Sequence, residues 1–80
     1  MQSSYNQDDQ IFLERLGSRI RELRSEIGLS QEKLSFECDL DRTYIGSVER
    51  GERNIAALNL KKVSKALNIS ISELFNFDYE

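Results

Sequence analysis

The chain has 80 residues, a formal charge of −3, one cysteine, no histidine and no proline; a chain this short buries only about 60% of the surface its unfolded form exposes, so it needs an efficient core or a partner chain. The single cysteine excludes an internal disulfide and, without histidine, leaves a zinc site almost no ligands, so no metal or cofactor is implied. No apolar run approaches the roughly 20 residues of a membrane span, and "MQSSYNQDDQ" lacks the basic and apolar regions of a signal peptide, so no membrane partner and a soluble, reducing compartment are expected.

Apolar residues recur at helical spacing along the whole chain and no segment reads as a strand, which predicts an all-α fold of five short helices. Residues 1–9 read as a flexible polar extension, 10–77 as a single domain and 78–80 as a frayed tail. The first helix should run from about Asp9 to Glu26, with Ile11, Phe12, Leu16, Ile20, Leu23 and Ile27 in one stripe and Gly28 as terminator. Arg15, Arg19, Arg21 and Arg24 lie near the edges of that stripe. Ser30 caps the second helix, where Leu34 and Cys38 face inward four residues apart; Cys38 reads as a small core residue. Asp41 caps the third, which ends near Gly51. The fourth covers "ALNLKKVSKALN", with Leu60, Val63 and Leu67 on one side and no capping residue at Ile55 or Ala56. The fifth opens with Ser70 and Glu73 at capping-box spacing, between Ile69 and Leu74 in the staple positions.

Helices two and three, with a turn of three or four residues between them, have helix-turn-helix length. Asp39 occupies the turn position that often needs a left-handed backbone, which Asp reaches more readily than most residues. With about 100° per residue on the third helix, Ile45 and Val48 define the buried side. Thr43, Gly46, Ser47 and Arg50 then fall opposite, and Arg42 projects from the first turn. Such a face is slim in the middle with donors at its N-terminal end, which suits a groove of DNA; a plain solvated face has the same polarity. The overall acidity is uneven. The eleven Lys and Arg all lie in residues 11–72, against nine acids, while residues 1–10 and 73–80 carry acids only.

Taken as a unit, "SQEKLSFECDLDRTYIGSVERG" resembles the lambda-repressor-like helix-turn-helix family. Gln31 begins helix two, Leu34 is the core leucine, Ile45 the central aliphatic residue and "VERG" the closing motif. The resemblance extends over about residues 12–76, and "LDRTYIGSVERGERN" is similar to the controller proteins of restriction–modification systems. It implies a homodimer that binds a pseudo-palindromic double-stranded DNA operator and regulates transcription, with autoregulation, RNA polymerase as a further partner, and a bacterial cytoplasmic location at the nucleoid when bound. Arg42, Thr43 and Ser47 are the implied base readers; Gln31, Tyr44, Arg50, Arg53 and Asn54 are the implied phosphate contacts. Arg42 could instead touch phosphate, Arg50 could instead read a base, and Tyr44 could serve packing alone. The resemblance also pairs Arg24 with Glu49, which would hide an acid from the phosphates. Ile69, Ile71, Leu74, Phe75 and Phe77 are the implied dimer seam, with a core capped by these rings as the alternative. Ala56 and Gly46 depart from the family pattern, at the cap of helix four and on the reading helix.

A second reading is an antitoxin-type or phage-repressor-type protein acting partly through protein–protein contacts, although only about ten N-terminal residues are spare for such contacts. An enzyme is disfavoured: histidine is missing, and neither a Gly-rich phosphate loop nor a cluster of convergent acids is present.

Overall fold

The computed structural model describes residues 5–78, and those residues form five helices and no strand. Helix α1 spans Gln7–Glu26, starting before Asp9. Asn6 is the reason: its Oδ1 accepts the Asp9 N–H at 2.8 Å and satisfies an orphan donor of the first turn. Asp8 and Asp9 then meet the positive end of the helix dipole. Helices α2 (Gln31–Cys38), α3 (Arg42–Glu49) and α5 (Ile71–Leu74) start the same way. Ser30 Oγ accepts the Lys33 N–H at 3.0 Å, Asp41 Oδ1 the Thr43 N–H at 2.8 Å and Ser70 Oγ the Glu73 N–H at 3.1 Å. Helix α4 (Ala57–Ala66) has no such bond, because Ala56 stands at its cap position.

Four of the helices also stop alike. The residue past the last turn takes a left-handed backbone, at Gly28, Asp39, Gly51 and Asn68. It and its successor donate back to the two preceding orphan carbonyls. The pairs are Gly28 and Leu29 to Ser25 and Arg24, Asp39 and Leu40 to Phe36 and Ser35, Gly51 and Glu52 to Val48 and Ser47, and Asn68 and Ile69 to Lys65 and Ser64. Asp39 thereby fixes the turn between α2 and α3.

Leu16, Ile20, Leu34, Cys38, Ile45, Val48, Ile55, Val63, Leu67 and Leu74 form the core, with α2 packed on α3 and α4, and α1 on α3 and α5. The stripe of α1 differs from its expected form at two places. Leu13 is buried, and Ile27 is exposed because it lies past the last helical turn as the C-cap. Gly17, inside α1, marks the closest approach. A Cβ there would come within 2.4 Å of the Val48 carbonyl oxygen and 2.5 Å of that of Glu49. Backbone therefore lies on backbone where α1 crosses the end of α3. Gln10 Nε2 adds a bond to the Gly51 carbonyl at 2.9 Å. At the other side, Arg19 Nη2 and Arg15 Nη1 donate to the Glu73 and Asp78 carbonyls at 3.0 and 3.3 Å, holding the short α5 against α1.

Candidate nucleic-acid interface

Helix α3 is anchored by Ile45 and Val48, both almost without exposed surface. Arg42 and Thr43 stand exposed in its first turn, just after the Asp41 cap. Ser47 departs from the outward position the helical wheel gives it. It is only 6% exposed, and its hydroxyl donates to the Tyr44 carbonyl at 2.7 Å. With its one proton spent on the preceding turn and little of its surface exposed, Ser47 is not the open donor that the base-reading expectation requires.

Glu49, on the same helix, is turned wholly inward. Its side chain has no exposed surface, and Arg24 grips it twice, Nε to Oε2 at 2.6 Å and Nη2 to Oε1 at 2.9 Å. Such a two-pronged pair is among the stronger contacts available to a carboxylate. The bond to Glu49 raises the Arg24 pKa against the opposing effect of burial. Arg24 Nη1 also donates to the Leu29 carbonyl at 2.9 Å, so one guanidinium ties α1, the following loop and α3 together. Gln31 Nε2 donates to Glu49 Oε1 at 2.9 Å, and Arg21 Nε stands 3.9 Å from the same oxygen. Gln31 is therefore half-buried with one amide proton already spent, rather than a free donor at the start of α2.

Tyr44 is half-buried beside the core, and its hydroxyl oxygen accepts from Asn59 Nδ2 at 3.2 Å. That bond leaves the hydroxyl proton available to donate. Arg53 lies over the Tyr44 ring, 5.6 Å from its centre, within the range of a cation–π contact. Arg53 and Asn54 are both exposed in the segment between α3 and α4. Arg50 is exposed too, but it is engaged: Nε and Nη2 donate to the two Glu52 oxygens at 2.9 and 3.1 Å. This pairing raises the Arg50 pKa and lowers that of Glu52, so both stay charged. Asn59 and Glu52 escaped the reading of the sequence. Glu52 left one signal there, an opposite charge two residues after Arg50; Asn59 left none.

The apolar residues at the C-terminal end divide. Leu74 has no exposed surface and belongs to the core, which removes it from any seam. Phe75 and Phe77 are half-buried and pack with Phe12 of α1, ring centres 5.9–6.2 Å apart. Ile69 is half-buried, and Ile71 alone of the five is exposed. Cys38 is 2% exposed, with Sγ 3.7 Å from the Lys62 carbonyl, and burial pushes its thiol up to about 11. No helix among the described residues is long and apolar enough to cross a membrane.

Residues 20–74 match the helix-turn-helix family. The chain is 50% identical over 62 residues to control protein C.BamHI of Bacillus amyloliquefaciens, covering 76% of each chain. Among solved structures it is similar to the restriction–modification controller protein C.AhdI of Aeromonas hydrophila, with a TM-score of 0.78 and 52% identity over 79% of this chain and 96% of that one. It is also similar to controller protein C.Esp1396I, solved as a tetramer with its natural 35 base-pair operator, with a TM-score of 0.74 and 36% identity over 80% of this chain and 84% of that one.

Proposed function

The chain belongs to the helix-turn-helix family, and on that premise we propose that it is a sequence-specific DNA-binding regulator of transcription, of the restriction–modification controller kind. The observation that carries this reading is the first turn of α3. Arg42 and Thr43 stand exposed there, while the two acids at the ends of the helix, Asp41 and Glu49, are spent on a cap and on Arg24. Arg42 has the fork to bond guanine O6 and N7, and the Thr43 methyl can meet a thymine methyl. Tyr44, Arg53 and Asn54 supply phosphate contacts that fix register without reading sequence, and Gln31 joins them with its remaining amide proton. The protein acts as a homodimer whose two-fold axis matches a pseudo-palindromic operator, with Ile71 at the seam. Its site of action is the bacterial cytoplasm, on the nucleoid, in front of its own gene and within reach of RNA polymerase. Its role is binding, not catalysis.

Footprinting the purified protein on DNA just upstream of its own gene tests this. The expected result is a protected two-fold repeat, lost in Arg42→Ala while circular dichroism shows an unchanged fold. Operator preference that survives in Arg42→Ala would remove Arg42 as a reader. A wild-type protein that binds all duplexes alike would overturn the regulator reading itself.

A further inference from the structure

Resting on the DNA-binding reading, we infer that Arg50 is a second base-reading side chain, held in its reading pose by Glu52 above the bare backbone of Gly46. Three features that the simple phosphate-clamp role leaves unrelated come together here. Arg50 donates through Nε and Nη2 to both oxygens of Glu52, at 2.9 and 3.1 Å. That pair occupies one edge of the guanidinium only. The other edge, both protons of Nη1 and the second proton of Nη2, stays free, and it is the edge that can span guanine O6 and N7.

Gly46 fixes where that edge lies. A Cβ on Gly46 would sit 3.3 Å from Arg50 Nη1 and 3.5 Å from Gln31 Oε1. The guanidinium thus lies back over the middle of α3, between the first-turn readers and the helix end. The bare backbone of Gly46 makes the room it lies in. This accounts for a glycine in the interior of a reading helix, where alanine would be the better helix former.

Glu52 would be a poor neighbour for a phosphate clamp. Its charge repels the same phosphate that Arg50 would bind, and it takes two of the five donors. Around a base reader the same carboxylate has a use. It holds a long, rotamer-rich side chain in one pose before DNA arrives, so less ordering cost falls on binding. An exposed ion pair contributes little to stability, so what this pair supplies is orientation. Arg21, 3.9 Å from Glu49 Oε1, has no part in it.

Selection from a pool of randomised duplexes, with the full chain as wild type, Arg50→Ala, Arg50→Lys, Glu52→Gln and Gly46→Ala, tests the assignment. The wild type should select a two-fold motif. Arg50→Ala should lose preference at one base-pair position in each half, by roughly five- to a hundredfold, the range of a bidentate arginine–guanine contact, and keep the rest of the motif. Arg50→Lys keeps the charge without the fork and should lose the same position. Glu52→Gln and Gly46→Ala should blur that position alone. Arg50→Ala weakening every duplex equally with the motif unchanged would make Arg50 a phosphate contact and overturn the proposal. So would Glu52→Gln strengthening all binding without altering the motif. A wild type that selects no motif would instead count against the regulator reading on which this rests.

Discussion

Replacing Glu49 by Ala removes a carboxylate with no exposed surface that accepts twice from Arg24 and once from Gln31. The Arg24 side chain is 12% exposed, and its guanidinium would keep only the Leu29 carbonyl as partner. Removing one side of a buried pair leaves the other charge uncompensated and costs about 3–5 kcal/mol. Whole-chain stability for 80 residues is about 4–12 kcal/mol, so Glu49→Ala should lose a large part of it. At about 4–8 °C per kcal/mol for a domain of this size, the melting midpoint should fall by at least about 12 °C in far-UV circular dichroism. Urea titration should give the same loss without a change in slope. The double variant Arg24→Met with Glu49→Leu should recover most of it, because apolar side chains of similar volume replace a buried pair at little cost. Arg24→Met alone should weaken DNA binding beyond its effect on stability, since it leaves the Glu49 charge behind the reading helix with only the Gln31 amide and the looser Arg21 to offset it. A loss below about 1 kcal/mol in Glu49→Ala, the range of exposed pairs, would refute this account of the clamp.

Gly17→Ala should destabilise the fold by about 1–3 kcal/mol, the usual cost of overpacking, although Ala is the better helix former; an unchanged or raised midpoint in thermal melting would mean that α1 and α3 do not meet backbone to backbone. Ile71→Glu should shift the protein towards monomer in sedimentation analysis with its melting curve kept, and an unchanged dimer would place the seam elsewhere. Cys38 should react slowly with iodoacetamide at pH 8 in the native chain and fast in urea. Burial raises its pKa from 9.0 to about 11, so its share of stability is intact below pH 9 and is lost as pH rises through about 11; rapid native labelling would refute the burial. Binding to operator should show a shallow salt dependence, a log–log slope of about −2 to −4 for a dimer in which Arg53 is the main charged phosphate contact; a slope near −10 would require many more such contacts.

The five helices were legible because each announces itself locally. Ser30, Asp41 and Ser70 are capping residues followed by helical spacing, and Gly28, Asp39 and Gly51 can take the left-handed turn that closes a helix. Asn6 gave no such signal because four polar residues separate it from Ile11, where the apolar spacing begins. The packing of α1 on α3 was not legible. Gly17 in a helix interior carries no sign of what it touches; its meaning comes from Val48 and Glu49, about thirty residues away in a geometry set by the α2–α3 turn. Leu74 was misassigned for a related reason. An apolar residue among apolar neighbours can belong to a core or to a seam, and only the docking of α5 on α1 decides between them.

Ser47 and Glu52 mark where a helical wheel runs out. The wheel knows angles, not the reach of neighbouring chain, so it left Ser47 outside although its hydroxyl folds back to Tyr44 and its carbonyl closes the helix end with Glu52. Net charge misleads in the same way, because it counts acids without asking what each one faces. Of the acids near α3, Asp41 neutralises orphan N–H groups, Glu49 lies against Arg24 with Arg21 nearby, and Glu52 is paired with Arg50. Each of these three is held by a donor of its own chain, so none of the three presents an unopposed charge to an approaching phosphate, whereas Asp39, in the turn before α3, stays exposed. The chain is negative overall, and the small positive surplus of residues 11–72 leaves only weak non-specific attraction. Discrimination then has to come from contacts whose geometry is fixed before the encounter, which is where the Asp41 cap under Arg42 and the Glu52 brace on Arg50 act.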